Sequence, residues 1–266
     1  MKTIKLDDFK NYEFLSNLKF SEDGRYAAYI CAHADLTEND YNKALFLLDM
    51  ETKKTKQLTG EDVNSFYGFD GDRLLFSARR TKKEKEEKEK TFVYSIPVSG
   101  GEALLAYTFP HPVLKMKFAD KKTAVVLHSW KDDPFKKLPK EKAEEAKKDE
   151  ADYETFEEIP FWSNGDGFTS RKRNRLFVYN LSNMKGTALT DEFTQVDGFD
   201  FDKKTQEILF TKSTYTDKMP IYNELMLMPL KTKKAKLLNG GQDFMYADAK
   251  FFGDKIIYTG ADGKKY

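Results

Sequence analysis

Four leucines, each thirteen residues behind the start of a short apolar run, constrain this chain more than any other feature of its sequence. The runs begin at Leu45 (Leu-Phe-Leu-Leu-Asp-Met), Phe92 (Phe-Val-Tyr-Ser-Ile-Pro), Leu176 (Leu-Phe-Val-Tyr-Asn-Leu) and Leu225 (Leu-Met-Leu-Met-Pro-Leu). Each is a strand signal, and each is followed by a polar turn starting at Glu51, Ser99, Ser182 or Lys231. The trailing leucines are Leu58, Leu105, Leu189 and Leu238, placed in the closing strand of each unit. One identical offset repeated four times reads as an internal repeat of a single supersecondary unit.

The front halves of the units repeat as well. Pairs of strands are predicted at 14–20 and 26–30, 65–69 and 73–78, 113–119 and 123–130, and 196–201 and 207–211, joined by turns rich in Asp, Gly and Lys. Each unit is thus four antiparallel strands in about 47–49 residues, near the length of one propeller blade. A blade cannot bury both faces alone and must stack on its neighbours. The fold class expected is all-β: an incomplete β-propeller of four four-stranded antiparallel blades plus the start of a fifth. The whole chain, 1–266, is one partial propeller domain in this reading. The blades span about 13–60, 63–108, 112–191 and 194–240, and a fifth begins over 244–266.

From Leu45 to Phe92 is 47 residues and from Leu176 to Leu225 is 49, but from Phe92 to Leu176 is 84. Blade three therefore carries an insertion, placed at 131–174. Its first part, 139–150, is rich in strong helix formers and in Glu–Lys pairs at helical spacing, which predicts a short exposed helix. Its second part, 153–168, gathers Tyr153, Phe156, Phe161, Trp162 and Phe168 with the adjacent Glu157 and Glu158. Such groups on a loop over a rigid scaffold suit a binding surface, or else they pack the insertion onto its blade. The mixed-sign run from Lys82 to Lys90 reads as a solvated, flexible hairpin tip.

Composition excludes several classes. Lys plus Arg number 45 against 44 Asp plus Glu, so no net field steers the chain to nucleic acid or to an anionic membrane. No run approaches the roughly 18–20 apolar residues of a membrane helix. A lone cysteine, Cys31, cannot form an internal disulfide, and a cytoplasmic location is the default expectation. The three histidines, His33, His111 and His128, have no partner at metal-ligand spacing, and His128 reads as a packed strand residue. There is no Gly-x-Ser-x-Gly elbow, no Walker A loop and no Gly-x-Gly-x-x-Gly fingerprint. Neither a catalytic residue nor a cofactor is expected. A propeller enzyme with a metal on its axis, such as a lactonase or glycosidase, is disfavoured by the same absence of clustered His and Asp.

The stretch from Asp7-Asp8-Phe9 to Phe20-Ser21-Glu22-Asp23-Gly24-Arg25-Tyr26 resembles the start of prolyl oligopeptidase family serine peptidases, the acylaminoacyl-peptidase branch above all. Glu22 stands where that branch usually has proline. The Leu58-Thr59 and Leu189-Thr190 blade ends are similar, as is the segment from Ile159-Pro160-Phe161-Trp162 to Phe168. The resemblance implies an N-terminal propeller ahead of an α/β-hydrolase domain that carries the Ser-Asp-His triad. That domain lies outside this chain, and no triad residue maps onto it. What the resemblance leaves to the chain is gating of short peptide substrates, with the hydrolase domain of the same polypeptide as its partner. The dipeptidyl-peptidase branch holds a substrate ammonium with paired glutamates, and Glu157 and Glu158 are loosely similar to that pair. A stand-alone propeller scaffold for protein interaction is the alternative. In either reading an open ring implies self-association through the free edges of the terminal blades, or disorder of the last strands.

Overall fold

A computed structural model describes residues 3, 5–131, 135, 138–149, 155–165, 167–241 and 244–262. The chain divides into two compact units, Met1–Pro112 and Val113–Tyr266. In the first, a short 3-10 helix (Asp8–Asn11) precedes strands β1 (Phe14–Phe20), β2 (Tyr26–Asp35), β3 (Asp40–Asp49) and β4 (Thr55–Gln57), paired in that order as one antiparallel sheet. Strands β5 (Val63–Asp70), β6 (Arg73–Ala78), β7 (Thr91–Pro97) and β8 (Leu104–Phe109) form the next sheet in the same way. Ile30, Leu45 and Leu47 of the first sheet share a core with Phe66, Phe76 and Tyr94 of the second.

The second unit contains β9 (Val113–Asp120), β10 (Thr123–Lys131), β11 (Trp162–Ser163), β12 (Gly167–Phe168), β13 (Lys172–Asn180) and β14 (Lys185–Ala188). Strands β9, β10, β13 and β14 make a four-stranded sheet, while β11 and β12 pair separately within the insertion. Strands β15 (Thr194–Asp202), β16 (Glu207–Thr214), β17 (Glu224–Pro229) and β18 (Lys236–Asn239) form another sheet, followed by the hairpin of β19 (Met245–Phe252) and β20 (Lys255–Ala261). Val125, Leu127 and Leu176 meet Phe199, Phe201 and Phe210 in one core, and Tyr246 of the hairpin joins Leu209, Leu225 and Leu227 in another. The fold is all-β, with four-stranded antiparallel sheets of propeller type. Among the described residues no helix is long and apolar enough to cross a membrane.

The thirteen-residue spacing has a direct physical cause in two sheets. The Leu58 amide donates to the Leu45 carbonyl at 2.8 Å, and the Leu189 amide donates to the Leu176 carbonyl at 2.8 Å. The threonine that follows completes each ladder. Thr59 Oγ1 accepts from the Leu45 amide at 2.9 Å, and Thr190 Oγ1 accepts from the Leu176 amide at 3.2 Å. The other two sheets reach the same end by a different register. Leu105 lies opposite Tyr94 rather than Phe92, and Leu238 falls in a bulge between Leu237, opposite Met226, and Asn239, opposite Leu225.

Two features depart from the sequence reading. The Lys82–Lys90 segment is not wholly a solvated tip, because it holds helix α1 (Lys82–Glu86), capped by Thr81 in a capping box. Glu84 is buried there, accepting from Tyr94 Oη at 2.8 and 2.9 Å and from the Arg80 amide at 2.7 Å. A charge run is a surface only where every side chain can reach water, and Glu84 is drawn inward by donors that satisfy it. The second departure is a bulge in every first strand, at Asn17-Leu18, Tyr67, Leu114, Asp197 and Asp248-Ala249. Asn17 and Asp248 take φ values of 58° and 50°, which Asn and Asp tolerate better than branched residues. The expected helix in the insertion is present as α2 (Lys140–Asp149), and none of its residues is buried.

Thr59 offers a test of the ladder closure. A valine there keeps the shape but strands the buried Leu45 amide, so Thr59→Val costs about 1–3 kcal/mol. Urea unfolding followed by circular dichroism should show that loss, with a smaller one for Thr190→Val, where the bond is longer.

Candidate functional site

The insertion returns to the body of the second unit through residues 155–171, and the sequence there decides how firmly it is held. Strand β13 alternates, so Arg173, Arg175 and Phe177 project from one face while Leu176 enters the core on the other. Arg175 stacks on Trp130, with its guanidinium carbon 4.4 Å from the ring centroid. Arg173 lies 3.8 Å over the Tyr215 ring, and its Nη2 also donates to the Tyr215 carbonyl at 3.2 Å.

Into this aromatic-backed site the insertion sends Glu158. Arg173 Nη1 donates to Glu158 Oε1 at 2.9 Å and Nη2 donates to Oε2 at 2.6 Å, a bidentate pair with side chains only 2% and 4% exposed. The Arg171 amide adds a third bond to Oε1 at 2.6 Å. Burial alone would push the Glu158 carboxyl up. The Arg173 guanidinium and the Arg171 amide outweigh it and hold the carboxyl below the usual glutamate range. One residue on, the Ile159 amide donates to the Asp217 carbonyl at 2.7 Å, and the Met219 amide donates back to the Ile159 carbonyl at 2.8 Å.

The two adjacent glutamates therefore have different fates. Both oxygens of Glu158 are engaged by the protein's own donors, whereas Glu157 is exposed and pairs with Arg171. A cation from solution would find Glu157 accessible and Glu158 occupied. Nothing in the sequence signals this division, because Arg173 is one of four basic residues within 171–175 and only the strand's facing selects it.

The aromatics of the arm gather next to this anchor. Phe156 stacks on Phe161 at 4.5 Å and lies 5.1 Å from Phe168, and Trp162 pairs across β11–β12 with Phe168. Tyr153, Glu154 and Asp166 of the same stretch lie outside the described residues. The arm thus both packs on itself and presents apolar surface: Phe161, Trp162 and Phe168 are all exposed.

The histidines form no shared site. His128 is fully buried in β10, with Nε2 2.9 Å from Tyr179 Oη and its ring edge-on to Phe177, as the packed reading predicts. His33 lies 3.6 Å from Glu61, and the His111 carbonyl accepts from Thr91 Oγ1. Among the described residues no group of three or more His, Cys, Asp or Glu could hold a metal ion.

The bulged first strands supply a second polar set that sequence patterns did not announce. Lys19 Nζ donates to the Tyr67 carbonyl at 2.9 Å, and Lys115 Nζ donates to the Phe199 carbonyl at 2.5 Å, each reaching from one sheet to the next. Lys117 pairs with Asp200 at 3.2 Å, and Asp200 accepts from the Phe251 amide at 3.1 Å. Burial is the chief cause that lowers the Lys115 amine from its ordinary value. Asn223 clamps the hairpin, accepting from the Tyr246 amide at 2.7 Å and donating to its carbonyl at 2.9 Å. These contacts are joints between sheets, and those of Lys115, Lys117 and Asn223 lie in the unit on which the arm is mounted.

Removing Glu158 would leave the Arg173 cation buried and unpaired, so Glu158→Ala should cost about 3–5 kcal/mol. The depressed carboxyl also sets a pH dependence. Its contribution is fully present above the unfolded glutamate value of about 4.3 and is lost as pH falls through the lower folded value. Thermal melts taken from pH 6 downward should show the wild type losing stability in that acid window, with a shallower slope for Glu158→Gln.

Comparison with known proteins places this architecture. No protein family matches the chain, and no curated protein is similar to it. Solved structures are. The Pyrococcus horikoshii acylaminoacyl peptidase, in its orthorhombic crystal form, is 15% identical with a TM-score of 0.66 over 97% of this chain and 37% of its own. The β-propeller domain of the Trilobed protease from Pyrococcus furiosus, described as having an open velcro topology, is 12% identical with a TM-score of 0.50 over 94% of this chain and 78% of that one. A putative TolB from Agrobacterium tumefaciens is 14% identical with a TM-score of 0.56, over 96% and 72%. The chain therefore spans little more than a third of the length of that acylaminoacyl peptidase. Its structural neighbours are the β-propeller domains of acylaminoacyl peptidase, prolyl endopeptidase and tricorn-type proteases.

Proposed function

We propose that the chain is the propeller portion of a serine peptidase of the acylaminoacyl-peptidase or dipeptidyl-peptidase type, and that it gates short peptides toward a hydrolase domain carried elsewhere in the polypeptide. One observation carries the reading: 97% of the chain superposes on an acylaminoacyl peptidase while covering 37% of it. The remaining length of that peptidase leaves room for a catalytic domain. Stacked sheets whose faces are buried in one another suit a rigid wall, because such a wall excludes by size without having to move. The insertion arm, pinned at Glu158, is the part of the wall best placed to touch a passing peptide. Glu157 is its accessible carboxylate, and in this reading it is the member of the glutamate pair able to meet a substrate ammonium.

A second reading is a free-standing propeller that serves as a scaffold for other proteins. The likeness to the putative TolB favours it, since the match covers 72% of that chain against 37% of the acylaminoacyl peptidase.

Activity of the longer polypeptide separates the two. With residues 1–266 present, hydrolysis of a blocked tripeptide amide should proceed while a denatured 30-residue peptide is cut at least tenfold more slowly. Deleting the propeller should remove that preference. A polypeptide with no peptidase activity, or with size selection unchanged by the deletion, refutes gating and leaves the scaffold reading.

A further inference from the structure

The chain as a whole is nearly neutral, with 45 Lys and Arg against 44 Asp and Glu, but its charge is not evenly placed. In an antiparallel sheet the turns joining first to second and third to fourth strands lie at one end, opposite the link that carries the insertion. In the second unit these turns, each with its two flanking strand residues, hold ten lysines, all exposed. Against them stand four carboxylates, Asp120, Asp202, Glu207 and Asp254. The corresponding turns of the first unit hold four bases against seven carboxylates. Near-neutrality of the whole therefore conceals a basic end on the second unit.

Hydrogen bonds stitch those turns into one surface. The Leu181 amide donates to the Lys122 carbonyl at 2.7 Å, Gln206 Nε2 donates to the Ala119 carbonyl at 3.3 Å, and the Leu230 amide donates to the Gln206 carbonyl at 2.9 Å. The lysine pairs 121–122, 203–204 and 233–234 are thereby gathered on one side of two joined sheets. Asp120 and Asp202 offset only part of this charge, and their oxygens face the turns themselves. Asp120 accepts from the Lys122 amide at 2.7 Å, and Asp202 accepts from the Lys204 and Thr205 amides, each at 3.1 Å.

We propose that this end of the second unit docks on the surface of an anionic phospholipid bilayer. Lysines on flexible stems are point charges, which suits headgroups that are mobile and rearrange around them. Nucleic acid fits less well. A strand is held in a groove, by stacked rings and arginine forks, whereas these turns are bonded directly to one another and contain no arginine. An acidic polypeptide would meet the lysines but has no use for Phe252, which flanks the last turn and is 68% exposed. The interfacial layer of a bilayer takes up such a ring. Its hairpin is tied to the neighbouring sheet by the Phe251 amide, which donates to Asp200 at 3.1 Å. The surface is the same whether the chain gates peptides or serves as a scaffold, so failure of either reading leaves it standing.

Co-sedimentation of the 266-residue chain with vesicles tests this directly. Phosphatidylcholine vesicles with about 30% phosphatidylserine should carry the chain down at about 50 mM salt, and about tenfold more weakly at about 300 mM. Vesicles of phosphatidylcholine alone should not bind it. Lys121→Gln combined with Lys204→Gln should weaken binding by about fivefold per lysine, with unchanged circular dichroism. Lys122→Gln with Lys234→Gln is a second pair should the first misfold. Lys140→Gln with Lys142→Gln, on the exposed helix α2, removes the same net charge and should leave binding unchanged. Equal binding to both kinds of vesicle, no binding to the anionic ones, or a loss from the α2 pair as large as that from the turn pair overturns the proposal. So does tighter binding, at equal salt, of an oligonucleotide or of polyglutamate than of the anionic vesicles, because the surface would then belong to a nucleic acid or to an acidic polypeptide.

Discussion

A four-stranded antiparallel sheet with apolar residues on both faces cannot stand in water, and the rest of this structure follows from that constraint. Each sheet is long enough to close its own hydrogen bonds but too thin to bury its own side chains. Ile30 and Leu45 are covered only because Phe66 and Phe76 of the next sheet meet them, and Leu127 and Leu176 only because Phe199 and Phe210 do. Burial of a phenylalanine in such a seam is worth roughly 1.5–3 kcal/mol, so several in each seam outweigh any single polar contact.

Polar groups then settle where sheets can join. The bulge in each first strand breaks the regular ladder at one point and frees a backbone group there. A lysine of the preceding sheet reaches the freed carbonyl at Tyr67, another reaches the Phe199 carbonyl two residues past the bulge at Asp197, and Asn223 reproduces a strand's own donor and acceptor against Tyr246. Such bonds add little net stability each, yet an unmatched partner would cost more than the bond returns. They therefore specify which sheet faces which.

The insertion uses the same principle for another end. A helix with no buried residue contributes nothing to the core, but the arm that follows it is locked by one ion pair with almost no exposure. Desolvating Glu158 and Arg173 is costly, and three hydrogen bonds to one carboxylate with an aromatic ring against the guanidinium offset that cost. What this pair secures is position. It holds Phe161, Trp162 and Phe168 in one place at the surface, where a loop anchored only by apolar contacts could slide.

Much of this was open to reading from the residues alone. Period-two runs, Asp-Gly and Asp-Lys turns and the Leu-Thr endings determined strand positions, sheet order and the place of the insertion, because these depend on local hydrogen bonding and on which face is apolar. The helix at 140–149 was equally legible from its propensities. Tertiary structure alone decided three things: that Glu84 turns inward to Tyr94, that the bulges interrupt every first strand, and that Glu158 rather than Glu157 is consumed by Arg173. For the two glutamates the choice lies in what a neighbouring strand brings within hydrogen-bonding reach, Tyr94 for Glu84 and Arg173 for Glu158. A contact of that kind between residues far apart in sequence leaves no periodic trace in either segment.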